Sequence, residues 1–251
     1  MMNQRTNCVY RKMREMIKSG ELGPIVNVRN YWFRNGDWRR KVPSPEYERL
    51  INWRLYREYS RGLMTELACH QLQNGVLAMG ELPTKAMGTG SIIYWKDGRE
   101  VEDNVCAIYT FPNGVNMTFE SVISNKHFGM GEQILCKEGT IDLPHGRFYP
   151  ENPEKASAIR QLIGDIEKGV FSNPAFAGTS WAPETAVEKN GIALMPEAEG
   201  DGSLEMMEAF CNACITGKQP PRILEEGYYG SILALLGDEA IALGAINAGL
   251  S

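Results

Sequence analysis

The sequence predicts an α+β fold, with one large, mostly antiparallel β-sheet and helices packed on one of its faces. The first observation is a series of strand-like segments between residues 85 and 143, joined by tight turns as in successive hairpins. The second is that amphipathic, helix-like segments lie before and after this series. The third is that no predicted strand leads into a G-x-G-x-x-G turn, so no Rossmann domain is expected. The chain of 251 residues is interpreted as a single domain, residues 1–251.

The first elements are a helix and a strand. Residues 8–18 place four apolar side chains on one face of a helix, and Ser19-Gly20 predicts its end. Residues 25–34 alternate as a half-buried strand does. Residues 35–51 follow as a long, proline-containing loop; loops of this kind often carry function, although a surface excursion is the commoner case.

The central strands are predicted from alternation and from their turns. Phe111-Pro-Asn-Gly114 predicts a tight hairpin, because Asn-Gly accepts positive φ at low cost. Residues 95–98 and 137–139 predict similar turns. The five predicted strands are residues 85–94, 103–111, 115–124, 132–136 and 140–143.

Three helices are predicted in the C-terminal part. They span residues 156–168, residues 203–216 with Ser203 as the cap, and residues 228–243. Cys211 and Cys214 lie on the apolar face of the second helix and are interpreted as core residues, because no second cysteine pair follows at zinc-ligand spacing.

Composition excludes several classes of function. The net charge of −5 and the lack of a Lys/Arg-rich block argue against nucleic acid as a partner. No apolar run approaches the ~20 residues of a membrane span, so no membrane partner is expected. Six scattered cysteines without a disulfide or metal pattern indicate a reducing compartment and therefore the cytoplasm.

The most informative segment is residues 61–80, where three polar residues share one side of a predicted helix. Glu66, His70 and Gln73 lie within roughly a 60° arc, opposite an apolar stripe. A carboxylate, an imidazole and an amide that point the same way suit proton transfer or the binding of a polyol. The same spacing also fits an ordinary solvated helix face.

This segment resembles the substrate-side helix of the glucose–fructose oxidoreductase/inositol dehydrogenase (Gfo/Idh/MocA) family. That helix carries an acidic residue, three others and then the catalytic histidine, positions that Glu66 and His70 match, while Gln73 replaces a later aspartate. Residues 3–34, with their Ser-Gly-x-Leu-Gly turn, are similar to the start of the family's second domain. The segments TFPNGVNMTFE and EQILCKEGTIDL resemble its later strands.

The resemblance implies a function that this chain carries only in part. The family pairs this domain with a dinucleotide-binding half, so NAD or NADP is implied for a complete enzyme acting on a sugar or cyclitol. The chain shows neither the glycine fingerprint nor the family's catalytic lysine in a Glu-Lys-Pro motif. No cofactor is therefore expected on this chain alone, which is similar to the C-terminal domain only.

Under this resemblance, His70 is the catalytic acid or base and Glu66 orients it. Two alternatives stay open: a non-catalytic carbohydrate-binding or dimerisation module, and part of an NAD-dependent enzyme that cleaves glycosides.

Four further residues are candidates for binding the substrate. Trp53 and Arg54 lie just before the Glu66 helix, where an arginine can grip hydroxyls or an anion, although a surface arginine packed on Trp53 is equally expected. Lys126 and His127 follow a strand end, from which loop residues can reach a cleft, although an exposed loop pair is the commoner case. Gln73 completes the predicted substrate-binding set.

The sheet is expected to form a homo-oligomer. Apolar residues such as Ile92, Tyr94, Ile108, Tyr109, Met117 and Phe119 are assigned to both faces of the strands. A face that helices do not cover then needs a partner, which in the resembling family is another subunit. The alternative is a sheet covered by the chain's own loops.

Overall fold

A nine-stranded sheet organises the part of the chain that the computed structural model describes, residues 3–152, 191–196, 200–243 and 245–247. The predicted helix 156–168 lies outside these residues. The strand order is β8-β7-β6-β5-β1-β4-β3-β2-β9. The strands are β1 Ile25–Phe33, β2 Lys85–Ser91, β3 Asn104–Thr110, β4 Asn116–Val122, β5 Met130–Cys136, β6 Gly139–Asp142, β7 Arg147–Pro150, β8 Ile192–Ala193 and β9 Ala245–Asn247.

The first strand lies in the middle of this sheet. β1 pairs with β4 in parallel and with β5 in antiparallel, and the other adjacent pairs among the described strands are antiparallel. Asn30 of β1 faces Phe119 on one side and Glu132 on the other. The predicted mostly antiparallel α+β sheet is therefore confirmed, with one parallel pair at its centre.

Helices cover one face of the sheet. The described helices are α1 Cys8–Ser19, α2 Glu48–Ile51, α3 Cys69–Met79, α4 Ser203–Thr216 and α5 Ile223–Leu243, of which α2 and α4 bury no side chain. The Asn7 side chain accepts the amide of Val9 at 2.9 Å at the start of α1, and left-handed Gly20 ends it as predicted. The helices α1, α3 and α5 contribute to the core on this face. Within the described residues, no helix is long and apolar enough to cross a bilayer.

The core lies between these helices and the sheet. Every second residue of β3 is buried, and the Tyr109 hydroxyl donates to the carbonyl of Leu233 in α5 at 2.7 Å. Tyr109, Met117 and Phe119 therefore all lie on the helix-covered face and are fully buried. Ile108 lies on the other face. The apolar residues named in the sequence analysis therefore occur on both faces, but the three largest buried ones share the helix-covered face.

Strand β2 ends at Ser91, three residues earlier than predicted. The Asp103 carboxylate accepts the backbone amides of Ile93, Tyr94 and Trp95 at 2.7–2.9 Å. These bonds draw the chain out of the sheet, because the three amides are then no longer free to pair with a neighbouring strand. Tyr94 is consequently a loop residue that is 65% exposed, and it belongs to neither face of the sheet.

Helix α4 has the predicted bounds but not the predicted environment. Its N-cap is Gly202 rather than Ser203, and Asp201 accepts the Ser203 amide at 2.9 Å. Among the described residues of α4 none is buried, and Cys211 and Cys214 are both exposed. The assignment of these two cysteines to the core was wrong, because helical periodicity identifies an apolar face but not the element that covers it.

Candidate active site

The predicted acid–base helix begins with a π-helical turn. Met64–Ala68 forms this turn and leads directly into α3. Met64, Leu67 and Leu72 are buried against the sheet, so the opposite side of the segment is free to carry polar groups. The extra residue in a π turn re-aims the side chains that precede the helix, and such turns are frequent at functional sites.

Glu66, from this turn, is held by two groups of the preceding loop. Arg54 Nε donates to Glu66 Oε2 at 2.9 Å, and Ser60 Oγ lies 3.3 Å from Oε1. The Arg54 guanidinium also lies over the Trp53 ring, 4.9 Å from its centroid. The structure thus brings Trp53, Arg54 and Glu66 together, with Arg54 packed on Trp53 as in the alternative interpretation. A substrate-binding role for Trp53 and Arg54 stays a prediction.

The loop that carries Trp53 and Arg54 is fixed by a buried asparagine. Asn52 accepts the Arg40 amide at 2.7 Å and donates to the Arg40 carbonyl at 3.0 Å. It also donates to Glu48 Oε2 at 3.0 Å. Three hydrogen bonds from one buried side chain hold residues 48–54 in place beside the π turn.

His70 lies one turn further along, in a half-buried position. The ring of Trp32 meets its imidazole edge-on, with the centroids 5.9 Å apart. Burial lowers the pKa of His70, and the Glu66 carboxylate raises it in part. The imidazole is therefore neutral at pH 7 and able to accept a proton, while Glu66 favours the imidazolium that results.

A cavity of about 610 Å³ opens beside His70. It lies between the start of α1, β1 and the turn after β6. His145 in that turn has Nδ1 2.9 Å from Asp142 Oδ1, and its side chain is mostly exposed. The wall residues with aromatic or charged side chains are Tyr10, Trp32, His70, His145, Arg147 and Asp201.

Gln73 does not share this cavity. It lines a second one of about 390 Å³ between α3 and α5, together with Cys69 and Ser231. Helix α5 approaches so closely here that a Cβ on Gly230 would lie 3.1 Å from the Gln73 Cβ. Gln73 and His70 are three residues apart on α3. Gln73 faces α5, whereas His70 faces the cavity beside α1, so the two side chains have different surroundings.

Lys126 and His127 belong to the loop between β4 and β5, and His127 lies on the opposite face of the sheet from His70. His127 contacts Phe128, with ring centroids 4.9 Å apart, and Phe128 packs against Phe33 at 5.5 Å. Because side chains alternate along β1, Phe33 points away from the face on which Trp32 meets His70. Both Lys126 and His127 are exposed. The structure therefore does not bring this predicted pair to the acid–base group.

Sequence reasoning missed Tyr10 and Trp32 as cavity residues. Both sit in elements that were correctly predicted, and each has the pattern of an ordinary core aromatic. The two rings line the same cavity as His70 only because β1 pairs with β5 in this register and α1 packs next to these strands.

The glycines of β2 and β5 do not form a dinucleotide-binding turn. Gly88 and Gly90 of β2 face α5, where an added Cβ would lie 2.8 Å from Ile241. Gly131 of β5 is covered by the Tyr31 ring. All three lie within strands and not in a turn before a helix, so they offer no free backbone amides to a pyrophosphate. Nor, within the described residues, are three or more His, Cys, Asp or Glu side chains grouped so that they could hold a metal ion.

Residues 10–142, more than half of the chain, match the model of the GFO/IDH/MocA C-terminal domain. The protein belongs to this family, and the resemblance noted in the sequence is confirmed. No curated protein matches the chain by sequence.

Solved structures with the same fold are oxidoreductases. Aldose–aldose oxidoreductase from Caulobacter crescentus, complexed with glycerol, is 16% identical with a TM-score of 0.64, covering 98% of this chain and 62% of that one. Levoglucosan dehydrogenase, in complex with NADH and levoglucosan, is 15% identical with a TM-score of 0.62, covering 97% and 66%. Myo-inositol 2-dehydrogenase from Lactobacillus plantarum is 16% identical with a TM-score of 0.60, covering 98% and 64%. The chain spans less than two thirds of each of these proteins.

Proposed function

We propose that this domain is the substrate-binding half of an NAD(P)-dependent oxidoreductase that acts on a sugar or cyclitol. The observation that carries the proposal is the pair of Glu66 and His70 on one helical segment, with His70 opening into a cavity of about 610 Å³. The comparisons support the substrate class, since similar structures hold glycerol or levoglucosan.

In this proposal His70 removes the hydroxyl proton of the carbon that is oxidised. The neutral imidazole accepts the proton, and Glu66 stabilises the resulting imidazolium through space. Arg54 keeps the Glu66 carboxylate oriented by its 2.9 Å bond. A nicotinamide would supply the hydride acceptor. Because the glycines of β2 and β5 are packed within strands and form no pyrophosphate-binding turn, the chain alone is proposed to be inactive in redox chemistry.

Ligand titration tests the proposal on the chain itself. Calorimetric titration with a panel of aldoses and inositols should find at least one ligand, and His70→Ala should weaken its affinity about tenfold, the worth of one good hydrogen bond. His127→Ala is the matched control, because that ring lies across the sheet, and should change nothing. A panel without any ligand, or equal losses in both variants, would contradict the proposal.

The non-catalytic module remains the second candidate, favoured by the glycines that are packed rather than open to a phosphate. A titration with NAD and NADP together with a dehydrogenase assay separates the two readily. When a nucleotide-binding half is added, nucleotide affinity comes from that half in either case. Substrate-dependent reduction of the nicotinamide should appear only if this chain is the half-enzyme, and a module should give none.

Oligomerisation through the open sheet face is part of the same proposal. Phe33 and Phe128 pack together there with Tyr31, and Phe128 is 67% exposed. An exposed aromatic cluster on a sheet suits an isologous contact with a second copy. Light scattering should give at least a dimer mass, and Phe128→Asp should shift it toward a monomer. A monomer mass for the unaltered chain at micromolar concentration would overturn it.

We also propose a cytoplasmic location, since all six cysteines are free.

A further inference from the structure

A buried carboxyl group lies in the sheet behind the His70 cavity. Glu132 of β5 is 1% exposed and sits directly across from Asn30 of β1, itself 2% exposed. Their neighbours along the helix-covered face are apolar, including Val28 and Ile134. Two polar side chains in the middle of an apolar face are costly unless each finds a partner.

This polar pair is incompletely bonded. Within the described residues, neither carboxyl oxygen of Glu132 nor the amide nitrogen of Asn30 has a hydrogen-bond partner. The Tyr10 hydroxyl and the Asn74 amide lie beside the carboxyl and favour its charged form, yet neither reaches full hydrogen-bond geometry. Burial dominates and raises the pKa of Glu132 to about 8, so the group is neutral at pH 7.

Each neighbour of Glu132 connects it to the His70 cavity in a different way. Asn74 Nδ2 donates to the His70 carbonyl at 3.0 Å, one turn back on α3. Tyr10, from α1, lines the same cavity as His70. One buried carboxyl therefore adjoins a side chain that lines the cavity and a side chain that bonds to the backbone of His70.

We propose that Glu132 is a positioning residue that sets the places of the Tyr10 side chain in the His70 cavity and of His70 itself, through Tyr10 and Asn74. In its neutral form it leaves the Asn74 amide to the His70 carbonyl. As a carboxylate it draws the Tyr10 hydroxyl and the Asn74 amide toward itself, since a hydrogen bond to an ionised acceptor is roughly twice as strong as a neutral one. The turn of α3 that carries His70 then moves with Asn74.

The other titratable groups around this cluster come from three elements. Asp142 at the end of β6 acts on Tyr10 and holds His145. His70 and Glu66 belong to α3 and the π turn before it, and Glu66 acts on His70 directly. Their effects can be distinguished from that of Glu132, because His145 reports on Asp142 and Glu66→Gln removes the charge of Glu66 alone. The inference rests on the proposed function only in taking the His70 cavity as the substrate site.

The three histidines of the chain make this testable without substrate or cofactor. In protein labelled with ¹³C-histidine, the ring Cε1–Hε1 signals of His70, His127 and His145 are followed by NMR from pH 5.5 to 9.5. Substituting each histidine by glutamine assigns the signals. The His70 signal should show its own titration and then a second step centred near pH 8. His127, across the sheet, should show no second step.

Two variants decide the origin of that step. Glu132→Gln keeps the volume and hydrogen-bonding shape but cannot ionise, so the second step should vanish while the first remains. Tyr10→Phe removes one of the two groups through which Glu132 acts and should reduce the amplitude. The inference is overturned if the unaltered protein lacks the second step, or if the step survives in Glu132→Gln. If the chain binds no polyol but the His70 signal shows the second step, the proposed function is contradicted and the inference about Glu132 is supported.

Discussion

The two faces of the sheet place two histidines in opposite settings. His70 is half-buried on the helix-covered face, beside Trp32 and within the field of Glu66. His127 is exposed on the open face, where it packs only against Phe128 among the described aromatic rings. Both were candidates from sequence, and their different neighbouring groups are the physical reason for assigning the proposed proton transfer to His70 and not to His127.

The largest expected effect comes from removing the histidine on the covered face. In a preparation that contains a nucleotide-binding half, His70→Ala should lower turnover by about 10²–10⁴-fold, the usual worth of a positioned acid–base group. It should hardly change the melting temperature, because His70 is not among the fully buried side chains of the core. Turnover measured together with a melting curve checks both parts.

The matched control for that comparison is His127→Ala, for which turnover should stay within about twofold. If both variants lose activity equally, the two faces do not differ as described. If His70→Ala melts far below the unaltered protein, His70 is a structural residue and the site assignment fails.

The next effect concerns pH and the carboxyl behind the cavity. Folded Glu132 holds its proton up to about pH 8, whereas the unfolded chain releases it near the ordinary value of 4.5. Between these values the folded state binds more protons, so raising the pH must lower the free energy of unfolding, and the loss is complete above pH 8. Glu132→Gln lacks this loss and should be the more stable protein at pH 9, by on the order of a few kcal/mol.

Urea denaturation at pH 5, 6.5, 8 and 9 gives the required free energies of unfolding. The difference between Glu132→Gln and the unaltered protein should grow with pH and level off above pH 8. A difference that does not depend on pH would mean that Glu132 titrates alike in the folded and unfolded chains.

Local sequence signals predicted the elements well, but not how they meet. Asn113-Gly114 and Ser19-Gly20 each specify a turn through backbone freedom, and both turns form as predicted. The central place of β1 depends instead on pairing with β4 and β5, about 90–110 residues further along the chain, and no local pattern encodes that. For this reason the sequence could nominate Glu66 and His70 but could not identify Tyr10, Trp32 or Glu132 as their surroundings.

A smaller effect is expected at the partner of His70. Glu66→Gln keeps the shape and the contact with Arg54 but removes the charge that favours the imidazolium. The pKa of His70 should therefore fall further below its ordinary value, because burial is then unopposed. Histidine NMR measures this directly, and turnover in the complete preparation should drop about tenfold to 100-fold, less than in His70→Ala. An unchanged His70 titration would show that Glu66 does not act on the imidazole.

The smallest effect is expected at Gln73, where the two cavities flanking α3 can be compared directly. The residue was predicted to bind substrate because it shares an arc with His70, yet its side chain lies in the cavity between α3 and α5. Gln73→Ala should leave the affinity for any polyol that binds at His70 within about twofold, since no contact with that ligand is removed. It should destabilise the fold by about 1 kcal/mol, because the Gln73 stem packs against Gly230 of α5. Calorimetric titration and urea denaturation of one sample measure the two quantities. A tenfold loss of affinity with unchanged stability would show that the polyol reaches past α3, and the division between the two cavities would then be wrong.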